Sequence, residues 1–258
     1  MRVRVYNIWH NKLFSQLYEE LPKEEFPNLV MFGVNEKYEK LYDSSLPYNI
    51  EYEYNLPYYN PKLQQHGYCQ TTCMYHIFKT GSYKDLDYIG FIQYDMKVGS
   101  NFFQEIRDLG SKGQEVIFHE QTEHIYQSAH WAQGLMHPYP GSALEHYNKH
   151  FGTNITLQEI ARNEHCHKVP LVHTFVIPVR MFEKMMSWIC EYVDYLESIH
   201  PTYPSNVSQS ELLERCHGMF LALERMLNPG ILMYPMNVKH IWPLYHDMTD
   251  YKNYKTIV

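Results

Sequence analysis

Apolar and polar residues alternate from the start of the chain: Val3-Arg4-Val5-Tyr6-Asn7-Ile8 has a period of two and predicts a strand. Trp9-His10-Asn11 predicts a polar loop, and Leu13 to Leu21 a short helix that stops before Pro22. Leu29-Val30-Met31-Phe32 is an unbroken apolar run ending at Gly33, the pattern of a parallel strand buried on both sides. A strand–helix–strand opening predicts a crossover-connected parallel sheet.

The Tyr-, Pro- and Asn-rich stretch from Pro47 to Pro61 has no helical period and predicts an irregular excursion. Helical spacing resumes over Gly67–Lys79, with Tyr68, Thr72, Tyr75 and Ile77 to Phe78 on the expected buried side, and Gly81-Ser82 ends it. Asp87 to Asp95 reads as an apolar strand finishing on a carboxylate. Phe102–Leu109 predicts a helix and Glu115–Phe118 a strand. Helices are expected at Ser142–Phe151 and Leu157–Asn163, and a strand at Leu171–Ile177. Pro178 then suits the first turn of a long helix reaching about Ser198. Ser210 to Leu227 predicts a last helix closed by Pro229-Gly230, and Ile231 to Tyr245 a strand followed by a loop. No repeat and no domain boundary interrupts this order, so residues 1–258 read as one α/β domain.

Composition narrows the partners. A net charge of −7 argues against nucleic acid as the ligand of the whole surface, though a few cations suffice for a phosphate. The chain carries 24 Tyr, 12 Phe and 4 Trp, a supply of rings that stack on sugars or bases. Biased coding in an A+T-rich genome is the competing explanation. Five cysteines without framework spacing, no signal-peptide core and no long apolar run predict a reduced, cytoplasmic protein without a transmembrane segment. The Asn154 and Asn206 triplets match glycosylation acceptors, a pattern that arises by chance.

The strand ending at Asp95 carries the most chemistry. Ligands of open α/β sheets bind beyond the carboxyl ends of the strands, so a carboxylate there points into the usual crevice. Such an Asp can hold Mn²⁺ or Mg²⁺ on a diphosphate, or it can simply cap a turn. Cys69 and Cys73, four apart on a predicted helix, read as packed thiols. His165, Cys166 and His167 are too closely spaced for a structural zinc, and His119 and His124 do not form the zinc-protease helix. The chain has no Walker loop, no Gly-x-Gly-x-x-Gly and no Gly-x-Ser-x-Gly elbow, which counts against nucleotide hydrolases, Rossmann oxidoreductases and α/β hydrolases.

Several segments resemble a bacterial glycosyltransferase-like family of capsular and exopolysaccharide loci. His66-Gly67-Tyr68-Cys69-Gln70-Thr71-Thr72 with Tyr75 to Lys79 resembles its Tyr-Cys-Glu-Leu-Thr helix. Asp87-Tyr88-Ile89-Gly90-Phe91 resembles its following strand. His173 to Ile177 with Phe182 to Trp188, Glu214-Arg215 with Met219 to Leu221, and Val5 to Phe14 are similar to further segments in the same order. Gln93-Tyr94-Asp95-Met96 departs from the family's His-Tyr-Arg-Arg, and Gln70 stands where Glu is usual.

The resemblance implies a GT-A-like single domain, with a mixed, mostly parallel sheet flanked by helices, that uses a UDP- or GDP-linked sugar donor and a glycan acceptor. It implies a donor site over Ile8, His10, Asn11, Tyr68, Gln70, Thr71 and Tyr94, with Glu214 and Arg215 orienting it. Asp95 would hold Mn²⁺ or Mg²⁺, with His173 and His246 as further metal or phosphate contacts. Glu164 is the candidate base for an acceptor hydroxyl, and Trp131 and Tyr139 are candidate acceptor platforms. For Glu164, His173, His246, Glu214 and Arg215 an ordinary surface or structural role competes with each assignment. A catalytically silent carbohydrate-binding protein on the same scaffold, and a nucleotidyltransferase, are the alternative readings.

Overall fold

The computed structural model describes residues 1–9, 18–34, 47–65, 70–94, 96–113, 116–120, 143–154, 156, 170–199, 238–240 and 244–246. Their core is a seven-stranded sheet. In chain order its strands are β1 (Val3–Trp9), β2 (Leu29–Gly33), β3 (Asn49–Tyr52), β4 (Tyr88–Gln93), β6 (Val116–Glu120), β7 (Pro170–Pro178) and β8 (Val238–His240). They lie side by side as β3-β2-β1-β4-β7-β6-β8. β7 alone runs against its neighbours, pairing antiparallel with both β4 and β6, while β3, β2, β1 and β4 are parallel and β6 pairs parallel with β8. Two short strands, β5 (Met96–Val98) and β9 (Leu244–His246), form a separate antiparallel pair. This is the expected mixed, mostly parallel GT-A-like α/β sheet.

Burial explains why the strands form where they do. β2 and β4 are buried at every position, as central strands covered on both faces must be. Tyr6 and Ile8 of β1 join Val30, Phe32, Ile89 and Phe91 in one core layer. Val3, Val5 and Trp9 join Leu29, Met31, Tyr88 and Ile92 in the other. Helices α2 (Gln70–Thr80), α4 (Ala143–Phe151) and α5 (Val179–Ile199) contribute to the first layer. Helix α3 (Phe102–Ser111) and the turn at Tyr18–Leu21 contribute to the second. Helix α1 (Pro61–Gln65) is a single short segment ahead of α2.

The helices follow the same logic. Met181, Phe182, Met185, Ile189 and Val193 recur at helical spacing and are buried, so one stripe of α5 faces the sheet. Burying each such side chain contributes roughly 1.5–3 kcal/mol. In α3 the stripe is Phe102, Phe103, Ile106 and Leu109. Gly90 is forced by packing: a Cβ there would lie 2.8 Å from Val176 Cγ2 and 3.0 Å from Val5 Cγ2. Any larger residue would push β1 and β7 away from β4.

Several expectations shift in detail. The excursion from Pro47 to Pro61 contains β3, a single 3₁₀ turn over Glu53–Asn55 and the start of α1. β3 is an edge strand with no fully buried position, and Asn49-Ile50-Glu51-Tyr52 lacks the apolar run that betrays a central strand. Trp9 is the last residue of β1 and fully buried, not part of a loop. α2 buries Thr71 to Met74 with His76 and Ile77, whereas Tyr75 is only half-buried. Pro178 closes β7 and α5 begins at Val179. The segment Ile231–Tyr245 holds two short strands, β8 and most of β9. Cys73 is buried and free, as expected of a packed thiol. The predicted helices at Leu157–Asn163 and Ser210–Leu227 lie outside the described residues, as does all of Leu13–Leu21 before Tyr18. Among the described residues no helix is long and apolar enough to cross a membrane.

Candidate functional site

The site is built on the carboxyl ends of β1 and β4, which lie side by side with Ile8 opposite Gln93. There the ladder stops, and side chains take over its hydrogen bonds. Asn7, fully buried, donates from Nδ2 to the Gln93 carbonyl at 3.0 Å and to the Tyr18 hydroxyl at 2.7 Å. The Tyr18 hydroxyl donates in turn to the Tyr94 carbonyl at 3.3 Å. Asn7 and Tyr18 therefore hold the two carbonyls that lead the chain out of β4 toward Asp95. Asn7 Oδ1 is buried and has no partner among the described residues, an unusual state for a buried acceptor.

Immediately after Asp95 the chain enters β5, whose antiparallel partner comes from the far end of the sequence. Met96 pairs with His246, Lys97 with Tyr245 and Val98 with Leu244. Antiparallel partners lie roughly 4.5–5.5 Å apart at Cα, so His246 is placed beside the residue that follows Asp95. His173 approaches the same edge from β7. The β4–β7 ladder runs from Tyr88 opposite Pro178 to Phe91 opposite Phe175. His173 is therefore on the part of β7 beyond Phe175, toward the end of the sheet where β4 finishes. A register shift between Phe118 and Glu120 of β6 interrupts the pairing with β7 in the same stretch, an irregularity typical of strand ends near functional sites.

A second polar cluster fixes the start of α2. Glu53 and His76 are both fully buried, and His76 Nδ1 lies 2.7 Å from Glu53 Oε1. The Asn60 backbone N–H donates to His76 Nε2 at 2.9 Å. With Nε2 accepting, the ring proton is on Nδ1 and is donated to the carboxylate. Gln64 Nε2 donates to Glu53 Oε2 at 2.6 Å and to Thr72 Oγ1 at 2.7 Å. The segment 53–64 is thus tied to the first turns of α2, where Gln70 and Thr71 lie.

The sequence-derived candidates divide into three groups. Ile8 is buried in the core layer under α2 and α5, Thr71 is buried, and Gln70 and Tyr94 are half-buried. These four sit on the elements just described, at the ends of β1 and β4 and the start of α2. The backbones of His173 and His246 are on β7 and β9. His10, Asn11, Tyr68, Asp95, Trp131, Tyr139, Glu164, Glu214 and Arg215 lie outside the described residues. Among the described residues no three His, Cys, Asp or Glu side chains come together as a metal site.

Sequence reading missed Asn7, Tyr18, Glu53 and His76. Asn7 did leave a signal: it is the one polar residue in the otherwise apolar series Val3, Val5, Trp9 on its face of β1. Glu53 and His76 left none, because nothing in the sequence says that residues 23 apart meet.

The chain shares its fold with the bifunctional glycosyltransferase WbbM, at a TM-score of 0.52 and 12% identity over 93% of this chain. That match covers 44% of WbbM, so the chain spans less than half of that protein's length. Mouse xyloside xylosyltransferase 1 matches with a TM-score of 0.43 and 9% identity, over 93% of this chain and 84% of that one. No family model and no curated protein sequence matches the chain. The likeness to WbbM is one of fold, the mixed and mostly parallel GT-A-like sheet described above.

Proposed function

We propose that this chain transfers a sugar from a UDP- or GDP-linked donor to a hydroxyl of a glycan acceptor, with Mn²⁺ or Mg²⁺ held at Asp95. The observation that carries this reading is the β5–β9 pair, which sets His246 opposite Met96, next to Asp95, at the edge where β1 and β4 end. His173 belongs to the same edge. A carboxylate with one or two imidazoles is a donor set that suits Mn²⁺ well and Mg²⁺ less well, since Mg²⁺ prefers oxygen ligands. Bound there, the cation would offset the charge that builds on the departing nucleoside diphosphate.

The chain's own residues have distinct tasks in this scheme. Asn7 and Tyr18 hold the Gln93 and Tyr94 carbonyls and so fix the end of β4 that precedes Asp95. Gln70 and Thr71 open α2, whose N-terminal N–H groups suit a phosphate-bearing ligand. His10, Asn11, Tyr68 and Tyr94 complete the donor site, with Glu214 and Arg215 orienting it. Glu164 takes the proton of the acceptor hydroxyl, and Trp131 and Tyr139 stack on the acceptor. The protein acts in the cytoplasm, where nucleotide sugars are made.

A screen of nucleotide sugars by thermal shift and by donor hydrolysis, with and without Mn²⁺, tests the reading. One donor should stabilise the protein in a metal-dependent way and slowly release its diphosphate. Asp95→Ala should lower that turnover on the order of 100-fold or more, since a metal supplies several kcal/mol and each 1.36 kcal/mol is tenfold. Full activity in Asp95→Ala would overturn the metal assignment. Glycan binding without any response to a donor would instead favour a silent binding protein.

A further inference from the structure

A groove of about 310 Å³, lined by Tyr58, Asn60, Tyr75 and Lys79, opens beside the second half of α2. α2 ends shortly before β4 begins, so Tyr75 and Lys79 lie toward the end of the sheet opposite to the one where β4 finishes. Among the described residues, none of those assigned to the donor site, the metal or the acceptor lines it.

Its most distinctive member is Tyr58. The Tyr59 N–H donates to the Leu56 carbonyl at 3.2 Å, closing a four-residue turn with Pro57 and Tyr58 at its centre. Pro57 fixes a negative φ at the first central position, and Tyr58 has φ of 71° at the second. That is a type II turn, whose second central position ordinarily takes glycine or asparagine. A tyrosine there is strained, and its ring is not used to stabilise the fold. It is 74% exposed and makes no ring contact or hydrogen bond among the described residues. Strain kept at an exposed aromatic points to a ligand.

The rest of the groove supplies polar groups around that ring. Asn60 Oδ1 accepts from the Lys62 N–H at 3.1 Å, which leaves its Nδ2 to donate outward. Lys79 Nζ lies 5.0 Å from the centre of the Tyr75 ring and 3.9 Å from Asp194 Oδ2. The Tyr75 hydroxyl donates to Asp194 Oδ1 at 2.8 Å. An amide donor, an ammonium and a carboxylate acceptor near an exposed aromatic face match a sugar ring, with its vicinal hydroxyls and apolar C–H face. Asp194 offsets the Lys79 charge, which favours neutral over anionic sugars. The volume stands at the lower end of small-molecule sites, room for one or two sugar units.

We propose that this groove is a secondary saccharide-binding site for neutral sugar units, separate from the candidate transfer site. The test is saturation-transfer difference NMR on the full chain without nucleotide or metal. The probes are glucose, galactose, mannose, N-acetylglucosamine, lactose, maltose and diacetylchitobiose, with glucuronate as the anionic control. At least one neutral sugar should receive saturation, more strongly than glucuronate. Tyr58→Gly places in the turn the residue it prefers, so the variant keeps or raises the melting temperature. It should nevertheless weaken binding by about fivefold or more, the scale of a lost aromatic contact. Lys79→Met should weaken it as well, and Asp95→Ala should leave it unchanged. Saturation of no neutral sugar would overturn the proposal. So would binding that survives Tyr58→Gly, or that disappears in Asp95→Ala, since the latter would assign the signal to the transfer site.

Discussion

Two buried polar clusters flank the candidate donor site, and they are finished to different degrees. Around Glu53, both carboxylate oxygens, both nitrogens of His76 and the Gln64 amide nitrogen are paired, within a segment that leads into α2. Around Asn7 the amide nitrogen serves two acceptors, yet Oδ1 is left without a partner among the described residues. A fully satisfied network in a low-dielectric interior rigidifies the structure around it. The Asn7 network instead pins the exit of a strand, β4, through one side-chain amide. The Glu53 cluster is a latch that holds α2, and the Asn7 cluster is the mount for the end of β4.

The largest effect should come from unmaking the latch. Glu53→Ala leaves the buried His76 ring and the half-buried Gln64 amide without their acceptor and opens a cavity beside them, together about 3–5 kcal/mol, since each unpaired buried group costs about 1–3 kcal/mol. Urea denaturation measures it directly. The fraction that remains folded should still respond to donor and Mn²⁺.

Asn7→Leu should cost less stability, about 1–3 kcal/mol, because the Gln93 carbonyl and Tyr18 hydroxyl each lose a donor. Its effect on metal-dependent donor turnover should be the larger one, about tenfold or more, equivalent to 1.4 kcal/mol. The comparison breaks if the two variants trade places: Asn7→Leu turning over donor at the normal rate, and folded Glu53→Ala failing to do so.

The smallest effect concerns a third cluster, between α4 and α5. Burial holds the His146 imidazole below its ordinary range, against an opposing pull from Glu191 and with a further push from His150 and Lys149. The folded protein then binds this proton less readily than the unfolded chain. Stability is therefore intact above the ordinary value of 6.5 and declines as pH falls below it. His146→Phe, which keeps an aromatic ring among Trp188, Tyr192 and Tyr195, should flatten the fall in melting temperature between about pH 7 and pH 5. An unchanged slope would assign that fall to other groups.

Much of the sheet was legible because its central strands announce themselves. β2 and β4 are apolar runs buried on both faces, and α3 and α5 carry stripes at helical spacing. β3 was not legible, since a four-residue edge strand with no fully buried position has no burial pattern to read. Around the candidate site, the strand β4 was legible and the side chains that support its end were not. Asp95 stands out as a carboxylate closing an apolar strand, but Tyr18, Glu53 and His76 look like ordinary residues of loops and helices until their partners are known.

The sequence by itself determined the α/β class and the order of the main strands and helices. These follow from local periodicity and burial, which neighbouring residues dictate. The tertiary structure alone decided that β7 runs against its neighbours and that β9 returns to β5, setting His246 opposite Met96. It also decided that Asn7 grips the end of β4 and that Glu53 meets His76. Those are contacts between distant parts of the chain, and only the closing of the sheet brings their partners within hydrogen-bond range.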